Sequence, residues 1–300
     1  MKTYKEAYLW GKEKLQAAGI TEFELDARLL LEGICHTSRT DLLVHGEREL
    51  TEEETWQYQE QIEKRSRRIP LQHIQGTTEF MGLTFQVNEH VLCPRPDTEV
   101  LVEEVMKNLH DGMGILDMCT GSGCILLSLL HYSNDCTGVG VDLSREALEV
   151  ARENERLVFG EESSDAIAFD EQSLQELSVD DSLSVSWIQS DLFEKVTGKY
   201  EIIVSNPPYI PTKEIETLMP EVRDHEPHMA LDGKADGLFF YEKIIEESPA
   251  YLPGGGMLFF EIGYNQGEAV SRMMEQRGFR EVQIVKDFAG LDRVVYGTWV

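Results

Sequence analysis

Basic residues are scarce in this sequence of 300 residues. Lysine and arginine number 27 against 55 aspartates and glutamates, which gives a formal net charge of −28. A surface with this charge repels a phosphate backbone, so sequence-independent binding of nucleic acid is disfavoured. We therefore expect a protein without a direct nucleic-acid partner.

The sequence also lacks long apolar runs and paired cysteines. No run approaches the roughly 18 residues of a membrane-spanning helix, and the charged start MKTYKEAYLWGKEK has no signal-peptide stretch. The five cysteines form no CxxC pair and are odd in number, which indicates neither a disulfide framework nor a zinc site. We expect a cytoplasmic protein with no membrane partner and no metal, and enough apolar residues for one large or two modest domains.

Helical periodicity dominates residues 1–75. Two segments match the capping box that starts helices, Thr21 with Glu24 and Thr51 with Glu54, and the second predicts a helix over 52–67. We interpret the tryptophans and leucines of this region as its core, with a groove for a partner as the alternative. The pattern predicts an N-terminal helical domain.

A different pattern follows the helical region. Residues 79–87 alternate apolar and polar side chains around Gly82, which is typical of a short β-hairpin. We predict that a hairpin linker over 76–92 joins the helical domain to a second domain over 93–300.

Seven short apolar segments in the second domain predict strands. They are residues 114–117, 138–141, 185–189, 202–205, 257–261, 282–285 and 294–297. Helical segments separate the first five, as expected for a mostly parallel sheet that is buried on both faces. Only residues 286–293 separate the last two, which favours an antiparallel pair. The predicted fold is a Rossmann-like α/β sheet of seven strands with an antiparallel last strand.

One segment departs from this alternation of strands and helices. Residues 161–181 carry eight acidic residues and no basic one. This composition predicts a solvated acidic insertion between a helix and the next strand.

The sequence ILDMCTGSGCI over 115–125 predicts a strand, a glycine turn and a helix. Glycines at 121 and 123 allow a ligand to approach the backbone beside a helix N-terminus, and Asp142 follows where an acid accepts hydrogen bonds from ribose hydroxyls. Leu126 replaces the third glycine of the dinucleotide pattern, and Asp117 would repel phosphate but tolerate a cation. These features favour S-adenosylmethionine over NAD. The loop residues that we expect to bind the cofactor are Cys119, Thr120, Gly121, Ser122 and Gly123.

The sequence IIVSNPPY over 202–209 predicts a buried strand that ends in a rigid polar loop at the same edge of the sheet. Two prolines fix the backbone, so that carbonyl groups face a ligand. We expect the Asn206 side-chain oxygen and the Pro207 carbonyl to accept the hydrogens of a planar NH₂ group, while Tyr209 packs on its plane. Pro208 completes the predicted substrate site. The alternative is a turn after a strand with an asparagine cap.

These two motifs, in this order with Asp142 and Asp191, resemble S-adenosylmethionine-dependent methyltransferases that alkylate planar nitrogen. Within that class the chain closely resembles the peptide chain release factor glutamine methyltransferases. The resemblance rests on NPPY and on four further segments: RIPLQHIQG (68–76), FMGLTFQV (80–87), VLCPRPDTE (91–99) and DFAGLDRVV (287–295). It covers nearly the whole chain. The sequence departs from the family pattern at Cys119, where a glycine is usual, at Leu192, where an aromatic is frequent, and in its longer acidic insertion.

The resemblance implies methyl transfer to the glutamine of the Gly-Gly-Gln motif in class I release factors. It implies that the helical domain recognises this protein substrate, that Asp142 binds the ribose, and that Asp191 or its neighbours Leu192 and Phe193 border the adenine. Asn206, Pro207 and Tyr209 would hold the substrate amide, Asn206 would also border the cofactor, and Arg95 with Glu99 would shape the mouth of the site or form a structural ion pair. We expect the enzyme to act as a monomer.

Three other functions remain open at this point. NPPY is also compatible with a ribosomal-protein glutamine methyltransferase or with an adenine-N6 nucleic-acid methyltransferase, although the net charge disfavours the second. A non-catalytic binding module with the cofactor fold is a third alternative.

The segment DHEPH (224–228) has metal-binding residue types, but its spacing and its internal proline disfavour a metal site. We expect residues 221–237 to form a loop near the active site.

Overall fold

The computed structural model describes residues 2–160, 167–168 and 185–300 of the chain. Two compact units result: Met1–Thr77 with Met219–His225, and Thr78–Leu218 with Glu226–Val300. The predicted division at residues 75 and 92 stays a prediction. None of the helices in the described ranges combines the length and the apolar composition needed to cross a lipid bilayer.

The helices follow the chain in thirteen segments within the described residues. Their bounds are α1 (Tyr4–Ala17), α2 (Phe23–Cys35), α3 (Arg39–Val44), α4 (Glu52–Ser66), α5 (Leu71–Gln75), α6 (Pro96–Met106), α7 (Cys124–His131), α8 (Arg145–Phe159), α9 (Thr212–Ile215), α10 (Pro220–Arg223), α11 (His228–Leu231), α12 (Phe239–Glu247) and α13 (Gly267–Arg277).

The strands are short, and those at the centre of the large sheet are mostly buried. Their bounds are β1 (Thr77–Phe80), β2 (Leu83–Gln86), β3 (Gly114–Met118), β4 (Thr137–Asp142), β5 (Ile167–Ala168), β6 (Val185–Gln189), β7 (Ile202–Ser205), β8 (Met257–Glu261), β9 (Arg280–Lys286) and β10 (Asp292–Thr298).

One predicted helix start in the first unit is confirmed and the other is wrong. Thr51 and Glu54 form the capping box of α4, with both reciprocal hydrogen bonds present. Helix α2 instead begins after Glu22 without a side-chain cap, and the Glu24 carboxylate pairs with Lys12. A local pattern could not show this second pairing, since the lysine lies on the preceding helix.

Apolar packing and one buried ion network stabilise the first unit. Tyr58 is fully buried, and its hydroxyl donates a hydrogen bond to the Ala27 carbonyl at 3.0 Å. The buried Arg65 guanidinium lies 2.7 Å from Asp26 and 3.0 Å from Glu221. Charges at these positions are tolerated because each has a hydrogen-bonded partner.

The two tryptophans of the helical region differ in burial. Trp10 packs against the apolar core of the first unit, as predicted. Trp56 is 62% exposed, so its assignment to the core was wrong.

The second unit is built on a sheet whose order is β5-β6-β4-β3-β7-β8-β10-β9. Neighbours from β5 to β8 pair in parallel, whereas β10 pairs antiparallel with both β8 and β9. The predicted Rossmann-like sheet with an antiparallel last strand is confirmed, and all seven predicted strands are present. The additional strand β5 belongs to the predicted acidic insertion, and the remainder of 161–181 lies outside the described residues.

Parallel pairing brings the ends of several strands to one edge of the sheet. Met118 of β3 aligns with Ser205 of β7, and Ser205 aligns with Phe260 of β8. Asp142 of β4 aligns with Gln189 of β6. The glycine loop, Asp142, Asp191 and NPPY therefore all follow strands that end at this edge, as ligand sites in open α/β sheets do.

The hairpin of β1 and β2 is closed by a two-residue turn. Met81 and Gly82 occupy the turn with φ angles of 51° and 73°, which suits a tight hairpin connection. The buried Asn154 side chain of α8 accepts a hydrogen bond from the Gln86 amide at 2.6 Å and donates one to its carbonyl at 3.1 Å. This contact fixes the end of β2 against α8.

Candidate active site

A cavity lies at the carboxyl edge of the sheet, and most of the predicted site residues line it. These residues are Cys119, Thr120, Gly121, Ser122, Asp142, Asp191, Leu192, Asn206 and Pro208. Three predicted site residues, Gly123, Pro207 and Tyr209, do not line it. The structure thus brings the predicted cofactor loop and the start of the NPPY motif to one cavity.

The glycine loop alternates left-handed and ordinary backbone conformations. Cys119, Gly121 and Gly123 have φ angles of 62°, 56° and 76°. A Cβ at Gly121 would meet no atom within 4 Å, whereas one at Gly123 would lie 2.8 Å from the Trp187 indole. Gly121 therefore leaves space for a ligand, and Gly123 permits packing behind the loop. Cys119 adopts a conformation that favours the glycine usual in the family, at a cost of about 1–2 kcal/mol.

Asp117 organises the beginning of the loop. Its side chain is fully buried and accepts a hydrogen bond from the Thr120 hydroxyl at 2.6 Å. Burial raises the pKa of this carboxyl to about 7, against the opposing effect of the Thr120 hydrogen bond. The residue therefore changes charge near neutral pH beside the cavity.

Asp142 is held by two backbone groups. One carboxylate oxygen accepts a hydrogen bond from the Gly121 amide and the other from the Ser144 amide, each at 2.9 Å. Burial raises the pKa of this carboxyl despite those hydrogen bonds. Because each carboxylate oxygen can accept a second hydrogen bond, Asp142 can also bind hydroxyl groups of a ligand. Its fixed position beside Gly121 suits that task.

The NPPY side of the cavity is fixed to the neighbouring strand. The buried Ser205 hydroxyl donates a hydrogen bond to the Met118 carbonyl at 2.6 Å, immediately before Asn206. The Tyr209 hydroxyl lies 3.5 Å from a carboxyl oxygen of the buried Glu261, and burial raises the pKa of Tyr209. Asn206 and Pro208 face the cavity, while the Tyr209 side chain extends towards the end of β8.

Two wall segments complete the cavity. One runs from His90 to Arg95 and the other contributes Pro227, Met229, Ala230 and Lys234, followed by Phe240. The second segment includes part of the loop predicted over 221–237. Of the first segment, only Arg95 was predicted to shape the site, and the two prolines that flank it are the signal in the sequence.

Arg95 combines the two roles considered for it. It lines the cavity, and its guanidinium forms a short ion pair with the buried Glu226. Glu99 has a structural contact instead, because its carboxylate accepts a hydrogen bond from the Met81 amide at 2.8 Å. Asp224 of the DHEPH segment forms an ion pair with Arg223, whose guanidinium nitrogen lies 2.7 Å from the Asp224 carboxylate. Within the described part of the chain, histidine, cysteine and acidic residues form no group of three suited to a metal ion.

Comparison with known proteins places the chain in a family. The family model of the PrmC N-terminal domain matches residues 6–76. A release factor glutamine methyltransferase from Caulobacter vibrioides is 41% identical over 98% of this chain and 96% of its own length. One from Clostridium botulinum is 37% identical over 97% of each chain.

One solved structure of similar sequence is the release factor-specific protein-(glutamine-N5) methyltransferase from Alicyclobacillus acidocaldarius. It is 29% identical and covers 72% of this chain and 99% of its own, with a TM-score of 0.39. The assignment rests on the two curated relatives, which match this chain over nearly its whole length. The chain belongs to the release factor glutamine methyltransferase family.

Proposed function

We propose that this protein methylates the side-chain amide nitrogen (N5) of the glutamine in the Gly-Gly-Gln motif of peptide chain release factors, with S-adenosylmethionine as the methyl donor. The observation that carries the proposal is one cavity lined by the glycine loop and Asp142 and also by Asn206. Membership in the family supports the substrate class.

The glycine-loop side of the cavity fits a nucleoside-type methyl donor. Asp142 retains acceptor capacity for two ribose hydroxyls, and Gly121 leaves open space beside it. Asp191 and Leu192 border the adenine, while Cys119, Thr120, Ser122 and Gly123 shape the loop around the donor. When bound, S-adenosylmethionine supplies an electrophilic methyl group.

The NPPY side prepares the substrate amide. The lone pair of an amide nitrogen is delocalised, so the nitrogen is a poor nucleophile and its geometry matters greatly. The Asn206 side-chain oxygen and the Pro207 carbonyl accept its two hydrogens, which directs the nitrogen and stabilises the positive charge that develops on it. Pro208, which lines the cavity, borders the amide, whereas the Tyr209 side chain lies outside the cavity and extends towards Glu261. The nitrogen would gain the methyl as the bond between that methyl and the donor sulfur breaks, with the electron pair staying on sulfur, which becomes a neutral thioether. The nitrogen would then lose one proton to solvent, because neither acceptor is basic enough to retain it.

The helical N-terminal region is the proposed recognition domain for the release factor. Three large apolar side chains on it are well exposed: Leu43 (78%), Val44 (67%) and Trp56 (62%). Exposed apolar side chains are suited to contact with a protein partner. We place the enzyme in the cytoplasm, where its substrate acts, as a monomer without nucleic-acid contact.

A transfer assay tests the substrate. The enzyme is incubated with radiolabelled S-adenosylmethionine and, separately, a release factor, ribosomal proteins or DNA. We expect label on the release factor and a mass shift of one methyl on its Gly-Gly-Gln peptide. A release factor with glutamate in place of that glutamine is the control and should stay unlabelled. Label confined to DNA or to ribosomal proteins would contradict the proposal.

Replacement of Asn206 tests the assigned role of the NPPY motif. Asn206→Ala removes one of the two acceptors, and we expect kcat to fall by about 100-fold or more, in line with the loss of one oriented polar group. Asn134→Ala is the matched control because Asn134 is exposed and donates to Asp111 at 3.3 Å. Cofactor affinity, measured by calorimetry, should stay within about threefold in both variants. Unchanged turnover in Asn206→Ala would refute the role.

A further inference from the structure

Gln266, immediately before α13, holds the loop that follows the NPPY strand. Its side chain is 7% exposed and does not line the cavity. Its amide nitrogen donates hydrogen bonds to the Tyr209 carbonyl at 3.0 Å and to the Gly237 carbonyl at 3.2 Å. Its amide oxygen accepts one from the Gly263 amide at 2.9 Å. One carboxamide therefore joins three loops.

The packing around Tyr209 shows why this contact is close. A Cβ at Gly237 would lie 2.2 Å from the Tyr209 carbonyl oxygen and 2.7 Å from the Gln266 nitrogen. A Cβ at Gly233 would lie 2.8 Å from the Tyr209 Cα. The backbone of the loop over 233–237 thus lies directly against the last residue of NPPY, and glycine is required at both positions.

Backbone hydrogen bonds continue the same contact beyond Tyr209. The Ile210 amide donates to the Leu231 carbonyl at 3.0 Å, and the Gly233 amide donates to the Ile210 carbonyl at 2.9 Å. Three residues of the segment over 229–234, Met229, Ala230 and Lys234, line the cavity. A displacement of Tyr209 would therefore move both the NPPY motif and one wall of the site.

The hydrogen-bonding groups of a side chain decide whether it can bind the Tyr209 and Gly237 carbonyls and the Gly263 amide together. A carboxamide has two N–H donors and an oxygen acceptor without a charge, so it can satisfy two carbonyls and one amide together. Glutamate at the same position would present an oxygen to two carbonyl oxygens, and methionine would offer no donor. A buried group that loses its partners costs about 1–3 kcal/mol, and the loop would shift to avoid that cost.

We propose that Gln266 is a positioning residue for methyl transfer: by binding the Tyr209 and Gly237 carbonyls, it sets the position of the NPPY loop without contacting the cofactor or the substrate. This proposal rests on the proposed function and names a residue that supports it. Misplacement of reacting groups by about 1 Å can reduce a rate by about 100-fold.

Two substitutions test the proposal kinetically. We expect Gln266→Met and Gln266→Glu to lower kcat on the release factor by about 10-fold to 100-fold, while KM and the cofactor dissociation constant change by less than about threefold. Gln283→Glu on β9 is the matched control, because Gln283 is exposed, and it should behave like the native enzyme. Native kcat in both Gln266 variants would overturn the proposal, as would a loss of cofactor affinity equal to the loss of turnover.

Hydrogen exchange supplies a readout that does not depend on the substrate. In Gln266→Met, the amides of Ile210 and Gly233 should exchange faster, while those of β3 should keep their native protection. Unchanged exchange at these two amides would overturn the proposal that Gln266 holds the loop, even if turnover fell. If the native enzyme failed to methylate a release factor, the proposed function would fail, and the exchange result would still decide whether Gln266 holds the loop.

Discussion

Replacement of Glu261 by glutamine should make the second unit relatively more stable as the pH rises. Glu261 is the last residue of β8 and is 2% exposed. Burial raises the pKa of its carboxyl from 4.5 to about 7, against the Thr98 hydrogen bond and the Arg293 charge, while Asp97 adds a smaller increase. The groups that face it therefore do not compensate its burial.

The sign of the pH effect follows from proton binding. Between pH 4.5 and about 7 the folded protein keeps the proton on Glu261 and the unfolded chain has released it. The free energy of unfolding therefore decreases as the pH rises through this range. This stabilising contribution is complete below about pH 4.5 and is lost above about pH 7. At about 1.4 kcal/mol per pKa unit, the whole change is about 3 kcal/mol.

Glutamine keeps the shape of the protonated side chain and does not titrate. We therefore expect the difference in unfolding free energy between Glu261→Gln and the native protein to move by about 3 kcal/mol in favour of the variant between about pH 4.5 and pH 8.5. In calorimetry this corresponds to about 6–12 °C in the transition of the second unit. Asp117, whose pKa is also about 7, is present in both proteins, so its effect cancels in the difference.

Glu268→Gln is the control, because the Glu268 side chain is 86% exposed and its direct ion pair with Arg272 lies at the solvent-exposed surface. Its stability difference should stay near zero at every pH. A difference for Glu261→Gln that is constant with pH, or that favours the native glutamate at high pH, would refute the reasoning. That result would mean that Arg293 compensates the buried charge fully.

Four further substitutions should have distinct effects, each measured by urea denaturation together with cofactor titration. Gly121→Ala should cost about 1 kcal/mol of unfolding free energy, since it adds only the strain of a left-handed backbone, but it should weaken cofactor binding. Gly123→Ala should cost about 2–4 kcal/mol, because its Cβ would also lie 2.8 Å from Trp187. Equal losses of stability would contradict this. Thr51→Ala should cost the first unit about 1 kcal/mol through loss of its helix cap, and no loss would show that the box is not needed. Arg95→Ala should cost about 2 kcal/mol because it leaves a buried glutamate without its cation, and a neutral effect would be the contrary result.

Local sequence patterns were sufficient to predict the sheet and about half of the cavity. The strands of the parallel sheet are short apolar runs between helices, and each predicted run became a strand. The glycine loop and NPPY follow such strands directly, so the sheet alone brings them to one edge. Thr51 succeeded as a cap for the same reason, since its partner Glu54 lies within one turn.

Contacts between distant segments explain what the sequence could not show. Thr21 fitted the same cap pattern as Thr51, but the pairing of Glu24 with Lys12 depends on two helices. The cavity wall from His90 to Arg95 has no periodic pattern of its own. Its place becomes clear only when Glu226, distant in the chain, pairs with Arg95.

The two sides of the cavity share one structural solution that no local pattern reveals. On the glycine-loop side, the buried Asn154 carboxamide donates to the Ser122 carbonyl at 2.9 Å and binds both backbone groups of Gln86. On the NPPY side, Gln266 binds Tyr209, Gly237 and Gly263 in the same manner. An uncharged carboxamide can join three backbone groups without the desolvation cost of an ion. The glycine loop and the NPPY loop are therefore each held by a side chain that lies outside their own motifs. Because a carboxylate of the same size cannot donate, substitution of either residue by its acid should loosen one side of the cavity and leave the other unchanged.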